Sequence, residues 1–187
     1  MNKVQEYEYG MDGVVWHQHS NRLMLKLLEL LPKDEFVSDI GCGLGYYIYC
    51  LRYAGYHACG YDSLNILNSP YIEQVDLTKQ KPLHIKQNII SFEVGEHIPK
   101  EFEENYLDWI CSGESLVIMS WAVAGQDGVG HVNCQNNDYV IGKMRERGFA
   151  FLPSMTAELR ESVHGCHCTW FRNTLMAFKH EGSSILY

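Results

Sequence analysis

The chain has 187 residues, 46% of them hydrophobic and 20% charged, enough to bury one sizeable core and too apolar for a disordered tail. Fifteen Lys and Arg against 23 Asp and Glu give a formal charge of −8, which opposes attachment to a phosphate backbone and favours a small-molecule partner over nucleic acid. The first ten residues, MNKVQEYEYG, lack the basic start and apolar stretch of a signal peptide, and no apolar run approaches the roughly 20 residues of a membrane helix, so a cytoplasmic protein without membrane contact is expected.

Ser20 can cap a helix in which Leu23, Met24, Leu27, Leu28 and Leu31 recur at helical spacing, with Arg22, Lys26 and Glu29 facing water and Pro32 as its stop. A first strand over Phe36 to Ile40 leads through a glycine-rich turn into a helix from Tyr46 to Ala54, which Gly55 can end. Further strands are expected over His57 to Tyr61, Tyr71 to Val75, Asn88 to Val94 and Ser115 to Trp121. Helices are expected from Pro99 to Trp109, acidic on its exposed side, and from Asn137 to Arg147, burying Val140, Ile141 and Met144. Phe149 to Leu152 and Thr174 to Phe178 read as two last strands separated by a longer excursion.

This alternation implies an α/β fold, a largely parallel doubly wound sheet with helices on both faces. With five prolines, no repeat and no Gly/Ser linker, one domain is expected over residues 1–187. Seven cysteines, an odd number without a secretion signal, are expected to be reduced.

The most informative segment is Asp39-Ile40-Gly41-Cys42-Gly43-Leu44-Gly45. A backbone stripped of side chains between strand and helix lets a ligand approach the helix start and its unpaired N–H donors. Asp62, 17 residues beyond Gly45 and followed by Ser63, can accept the hydroxyl protons of a ribose. Asp76 with Leu77 ends the third strand, a carboxylate and an apolar face suited to an adenine. A dinucleotide site would place a small residue where Tyr46 or Ile48 stands, and Asp39 repels a pyrophosphate while suiting a cationic ligand.

The ordered set resembles the class I S-adenosylmethionine-dependent methyltransferases. Asp39 to Gly45 is similar to their first motif, Asp62 to the ribose-binding acid, Asp76-Leu77 to the adenine contact and Ser91-Phe92-Glu93-Val94 to the fourth-strand motif. The resemblance implies a Rossmann-like, seven-stranded sheet with an antiparallel last strand, residues 1–35 forming an N-terminal lid segment and first helix and 36–180 the sheet core. It implies S-adenosylmethionine bound by Asp39, Gly41, Cys42, Gly43, Gly45, Asp62, Ser63, Asp76, Leu77 and Glu93. Tyr7, Tyr9, Trp16 and His17 are expected to fold over the cofactor.

After the fourth strand, Glu93, Glu96 and His97 stand at i, i+3 and i+4 and can converge if a helical turn begins there. His131, in the loop after the fifth strand, can join them. His97 and His131 are the candidate catalytic residues, since an imidazole can take a hydroxyl proton near neutral pH. The four side chains can also hold a divalent cation such as Mg²⁺. This arrangement is similar to the metal-assisted branch of the family, the ubiquinone-pathway O-methyltransferases and small-RNA 2′-O-methyltransferases. The expected activity is methyl transfer to a small-molecule acceptor, with a hydroxyl preferred. A non-catalytic S-adenosylmethionine-binding module and an RNA methyltransferase are the alternatives, and oligomeric state is left open. His164-Gly165-Cys166-His167-Cys168 lacks the paired spacing of a zinc site, and Lys143, Arg145 and Arg147 read as a solvated basic face.

Overall fold

The computed structural model describes residues 18–82 and 88–183. Ser20 starts α1 (Asn21–Leu30) as expected, its hydroxyl accepting from the Leu23 amide, and its own amide donates to the Tyr47 hydroxyl at 3.1 Å. Leu23, Met24 and Leu27 form the buried stripe, and Leu31 closes the helix with an amide bond to the Leu27 carbonyl just before Pro32. β1 (Phe36–Ile40) then feeds α2 (Tyr46–Tyr53), and β2 (His57–Asp62) and β3 (Ile72–Gln74) follow.

β4 (Asn88–Ser91) is shorter than the apolar run that announces it, because the chain turns sharply at Glu93, whose φ is +53°. A 3₁₀ turn over Gly95–His97 comes next, followed by a second over Lys100–Phe102 and by α3 (Glu103–Ile110). The expectation that this helix is acidic on its exposed side fails at Glu103, which is buried. Its carboxylate accepts from Lys100, Asn133 and the Tyr139 hydroxyl, so full pairing offsets its burial. β5 (Leu116–Ser120), α4 (Asn137–Glu146) and β6 (Phe149–Phe151) lie close to their expected spans. The excursion after β6 is helical in two pieces, α5 (Pro153–Ser162), opened by Pro153 in its first turn, and α6 (Phe171–Thr174), before β7 (Leu175–His180).

The strands form one seven-stranded sheet in the order β3-β2-β1-β4-β5-β7-β6. β7 pairs antiparallel with both β5 and β6 and the other pairings are parallel, so six strands run one way and the last runs back. One apolar layer packs α1, α2 and α5 residues such as Leu27, Leu51 and Leu159 against the sheet, and a second packs Tyr106, Trp109, Val140 and Met144. The order reverses between β1 and β4, and the crevice beyond their carboxyl ends is where such sheets take ligands. No described helix is long and apolar enough to cross a membrane.

Gly95 lies against the buried Trp121, and a Cβ there would stand 2.3 Å from the indole ring. Gly95→Ala is expected to lower stability by about 1–3 kcal/mol through overpacking. Gly142, inside α4 with open space around it, gives the control: Gly142→Ala is expected to raise stability by about 0.5–1 kcal/mol. Urea unfolding midpoints check both, and equal effects would contradict the packing at Trp121.

Candidate functional site

The loop leaving β1 is pinned across the end of β2. Gly41 and Cys42 amides donate to the Tyr61 carbonyl at 2.7 and 3.3 Å, and the Gly43 amide donates to Asp62 Oδ2 at 2.8 Å. Gly41 has φ +76°, and a Cβ there would meet Val94 at 2.4 Å, so only glycine fits this close approach. Gly43 and Gly45 also have positive φ, and Gly45 opens α2 without a side-chain cap. Asp62 Oδ1 accepts from the Leu64 amide at 3.0 Å and faces the Ser63 hydroxyl at 3.4 Å. A carboxylate offers about four lone-pair directions, so one remains on Oδ2 for a hydroxyl, and a second becomes available if the long Ser63 contact is released.

Beneath the loop, Asp39 is 2% exposed and its Oδ2 has no hydrogen-bond partner. Burial, and then the charge of Asp62, hold its carboxyl well above the usual carboxylate range. Burial also pushes up the Cys42 thiol, with Asp39 and Asp62 adding to it, so Cys42 stays protonated and inert. A cationic group entering the loop meets an uncompensated acid.

The expected convergence after β4 takes place through the 3₁₀ turn. Ligand atoms of Glu96, His97 and His131 lie within 4.8 Å of one another. Glu96 is 0% exposed, and neither of its carboxylate oxygens has a hydrogen-bond partner. Burial and the neighbouring Glu93 push its carboxyl up to about 8. His131 Nε2 faces Glu96 Oε1 at 3.9 Å, and the His97 and His131 rings meet edge-on with centroids 5.1 Å apart. The Glu96 carbonyl accepts from the Val132 and Asn133 amides, tying the loop after β5 to the turn.

Glu93 is not part of this three-residue group. A 3₁₀ turn that begins at Gly95 leaves it upstream, its amide donating to Ser120 Oγ and its Oε2 accepting from Gln126, both at 2.9 Å. Burial raises its carboxyl despite those bonds, and Oε1 has no partner.

No family model and no curated protein matches the chain. Among solved structures, similarity extends to the magnesium protoporphyrin IX methyltransferase of Synechocystis PCC 6803 with bound S-adenosylmethionine, at 16% identity over 84% of this chain and 76% of that one, TM-score 0.59. It extends to the 1,6-didemethyltoxoflavin N1-methyltransferase of Burkholderia thailandensis with bound S-adenosylhomocysteine, at 11% identity over 91% and 83%, TM-score 0.64. The small RNA methyltransferase HEN1 matches at 13% identity, TM-score 0.60, across 88% of this chain but 25% of that one. The fold is that of the class I S-adenosylmethionine-dependent methyltransferases.

Within this methyltransferase fold the third expected contact is differently arranged. Asp76 accepts from the Thr78 amide and hydroxyl and pairs with Lys79 at 2.6 Å. Burial acts to raise its carboxyl, but those bonds outweigh it and hold it low. Leu77 is buried beside Ile98 and Leu107 in the core. The aromatic lid of Tyr7, Tyr9, Trp16 and His17 lies outside the described residues. Residues 164–168 form no metal-ligand group among the described residues, and Cys168 is buried with its thiol facing the His19 carbonyl at 3.5 Å. Lys143 and Arg147 both pair with Glu104 and are half-buried, so of the three expected basic residues only Arg145 is exposed. Ser120 and Gln126, which hold Glu93, and Asn133, which holds Glu103, carry no sequence signal because their partners lie in other elements.

An acid whose carboxyl is raised in the folded state keeps a proton that the unfolded chain releases. Its contribution to stability is therefore full below the ordinary carboxylate value of about 4.3 and is lost as pH climbs through the folded value. For Glu96 that window runs up to about 8, and Asp39 acts in the same direction. Urea midpoints of chelator-treated protein are expected to fall from about pH 5 to about pH 8 and to fall less steeply in Glu96→Gln. Superimposable slopes for the two proteins would contradict the burial of this acid.

Proposed function

We propose that this protein transfers a methyl group from S-adenosylmethionine to the hydroxyl of a small-molecule acceptor. The observation that carries the reading is the pair of unsatisfied acidic sites on either side of the β1–β4 reversal, Asp39 under the glycine loop and Glu96 beside two histidines. S-adenosylmethionine supplies an electrophilic methyl on a sulfonium. Asp62 has acceptor capacity toward its ribose, the start of α2 borders the loop without a side-chain cap, and Asp39, whose buried carboxyl holds its proton in the empty loop, gains a counter-charge for ionisation when a cationic ligand binds. Two neighbours of the same fold were solved with this compound or its demethylated product bound.

Glu96, His97 and His131 activate the acceptor oxygen. A carboxyl pushed up to about 8 is matched to taking a hydroxyl proton near neutral pH. A divalent cation held by these three residues would lower the pKa of that hydroxyl. Two imidazoles and one carboxylate suit Mn²⁺ or Zn²⁺ better than Mg²⁺, which prefers an all-oxygen shell. The formal charge of −8 and the ion pairing of Lys143 and Arg147 favour a small acceptor over RNA. All seven cysteines are free thiols, which suits a cytoplasmic location.

Calorimetry with S-adenosylhomocysteine is expected to show one site, weakened at least tenfold by Asp62→Ala. Label from methyl-tritiated S-adenosylmethionine is expected to enter hydroxylated members of an acceptor panel, and His131→Ala to lower that rate about 10²–10⁴-fold. Binding without turnover on any acceptor would make the chain a cofactor-binding module, and absence of binding would overturn the reading.

A further inference from the structure

The methyl-transfer reading leaves open what aims His131. We propose that Gln126 is the positioning residue of the site, fixing the tautomer of His131 through its backbone carbonyl and the carboxylate of Glu93 through its side-chain amide. The proposal rests on the methyl-transfer reading only for its consequence in catalysis. The Gln126 carbonyl lies 3.1 Å from His131 Nδ1. A carbonyl can only accept, so a hydrogen bond at this contact requires Nδ1 to carry the proton, and in a neutral imidazole Nε2 is then a bare lone pair. The Cys134 thiol, 3.6 Å from Nδ1, also faces the Gln126 carbonyl at 3.8 Å, so it competes as a second donor and does not take the proton's place.

The bare Nε2 faces Glu96 Oε1 at 3.9 Å. Two acceptors looking at each other across that gap call for a proton or a cation between them, which is the chemistry required on a hydroxyl acceptor. Gln126 itself is held by its amide bond to the Val123 carbonyl at 2.9 Å, which closes the turn after β5. Its side-chain Nε2 reaches Glu93 Oε2, also at 2.9 Å, and so registers this loop on the end of β4. One residue thus sets both the distance of the loop from Glu93 and the direction of the His131 lone pair. Without the amide, the loop loses its side-chain anchor on β4 and the carbonyl at Nδ1 moves with it.

The direct test is ¹⁵N NMR of histidine-labelled protein at about pH 8.5, where imidazoles are ordinarily neutral, without cofactor or metal. His131, assigned by its loss in His131→Ala, is expected to give the Nδ1–H pattern in the wild type and a mixed pattern in Gln126→Leu. Mn²⁺ titration is expected to show a 10–100-fold weaker site in Gln126→Leu, the usual range when a group supporting a ligand is removed, with S-adenosylhomocysteine affinity within about twofold confirming the fold. A wild-type His131 in the Nε2–H form overturns the proposal, as does an unchanged pattern in Gln126→Leu. If Gln126→Leu fails to fold, Gln126→Glu, which sets a carboxylate against Glu93, is read by the same pattern. If wild-type protein binds no Mn²⁺, or transfers no methyl group, the tautomer still decides the role of Gln126 and the failure belongs to the methyl-transfer reading.

Discussion

A peptide amide hydrogen-bonded to a carboxylate, Gly43 to Asp62, ties the loop between β1 and α2 to the end of β2. β1 and β2 run parallel with Ile40 beside Tyr61, so the chain leaving β1 must cross the end of β2 before it can enter α2. It does so by handing successive amides to β2, those of Gly41 and Cys42 to the Tyr61 carbonyl and that of Gly43 to the Asp62 side chain. The loop is held to the end of β2 as a result, Asp39 at the end of β1 is buried, and α2 starts at Gly45 without a side-chain cap. A projecting loop would satisfy its amides with water and leave Asp39 hydrated.

The second constraint is the charge that this packing confines. Asp39, Glu93 and Glu96 each keep at least one buried carboxylate oxygen without a partner, a costly state for an ionised group. Glu103 shows that the same fold can bury a carboxylate and satisfy it, with Lys100, Asn133 and Tyr139 around it and its carboxyl held low against the effect of burial. The contrast is instructive because Glu103 sits only a few residues beyond Glu96. Among the described residues, buried acids with an unpartnered oxygen therefore lie at the carboxyl ends of β1 and β4, where a cationic ligand, a metal ion or a transferable proton would complete them.

Strand and helix types were legible because the sheet is buried on both faces, so its strands read as apolar runs, and because Gly55 and Gly148 end helices where the chain must reverse into a strand. The shortening of β4 was not legible: Phe92 and Val94 are apolar enough to extend a strand, but the left-handed Glu93 between them breaks the pleat. α5 carries alternating small and polar residues with only Thr156 and Leu159 buried, too weak a stripe to stand out. In the site, spacing brought Glu96 and His97 together correctly. Glu93 stands beside that pair and adjoins Glu96 without joining its ligand group, since i, i+3 convergence assumes a turn already under way at residue 93, and the turn starts two residues later. Gln126 was invisible for another reason: its contact with His131 is made by a backbone carbonyl, which any residue type supplies.

The two halves of the site are mechanically one. Val94 packs so tightly on Gly41 that no Cβ fits between them, and Gly95 packs as tightly on Trp121. Trp121 in turn donates to the Asn133 carbonyl at 2.7 Å, and the Asn133 amide donates to the Glu96 carbonyl. The 3₁₀ turn and the loop after β5 thus form a closed circuit of contacts, and the glycine loop is joined to it through Val94. Any shift of the loop over Asp39 is passed through Val94 to the turn that carries Glu96 and His97. Backbone contacts and rigid rings hold such positions more tightly than long polar side chains would, which is the tolerance that the proposed methyl transfer requires.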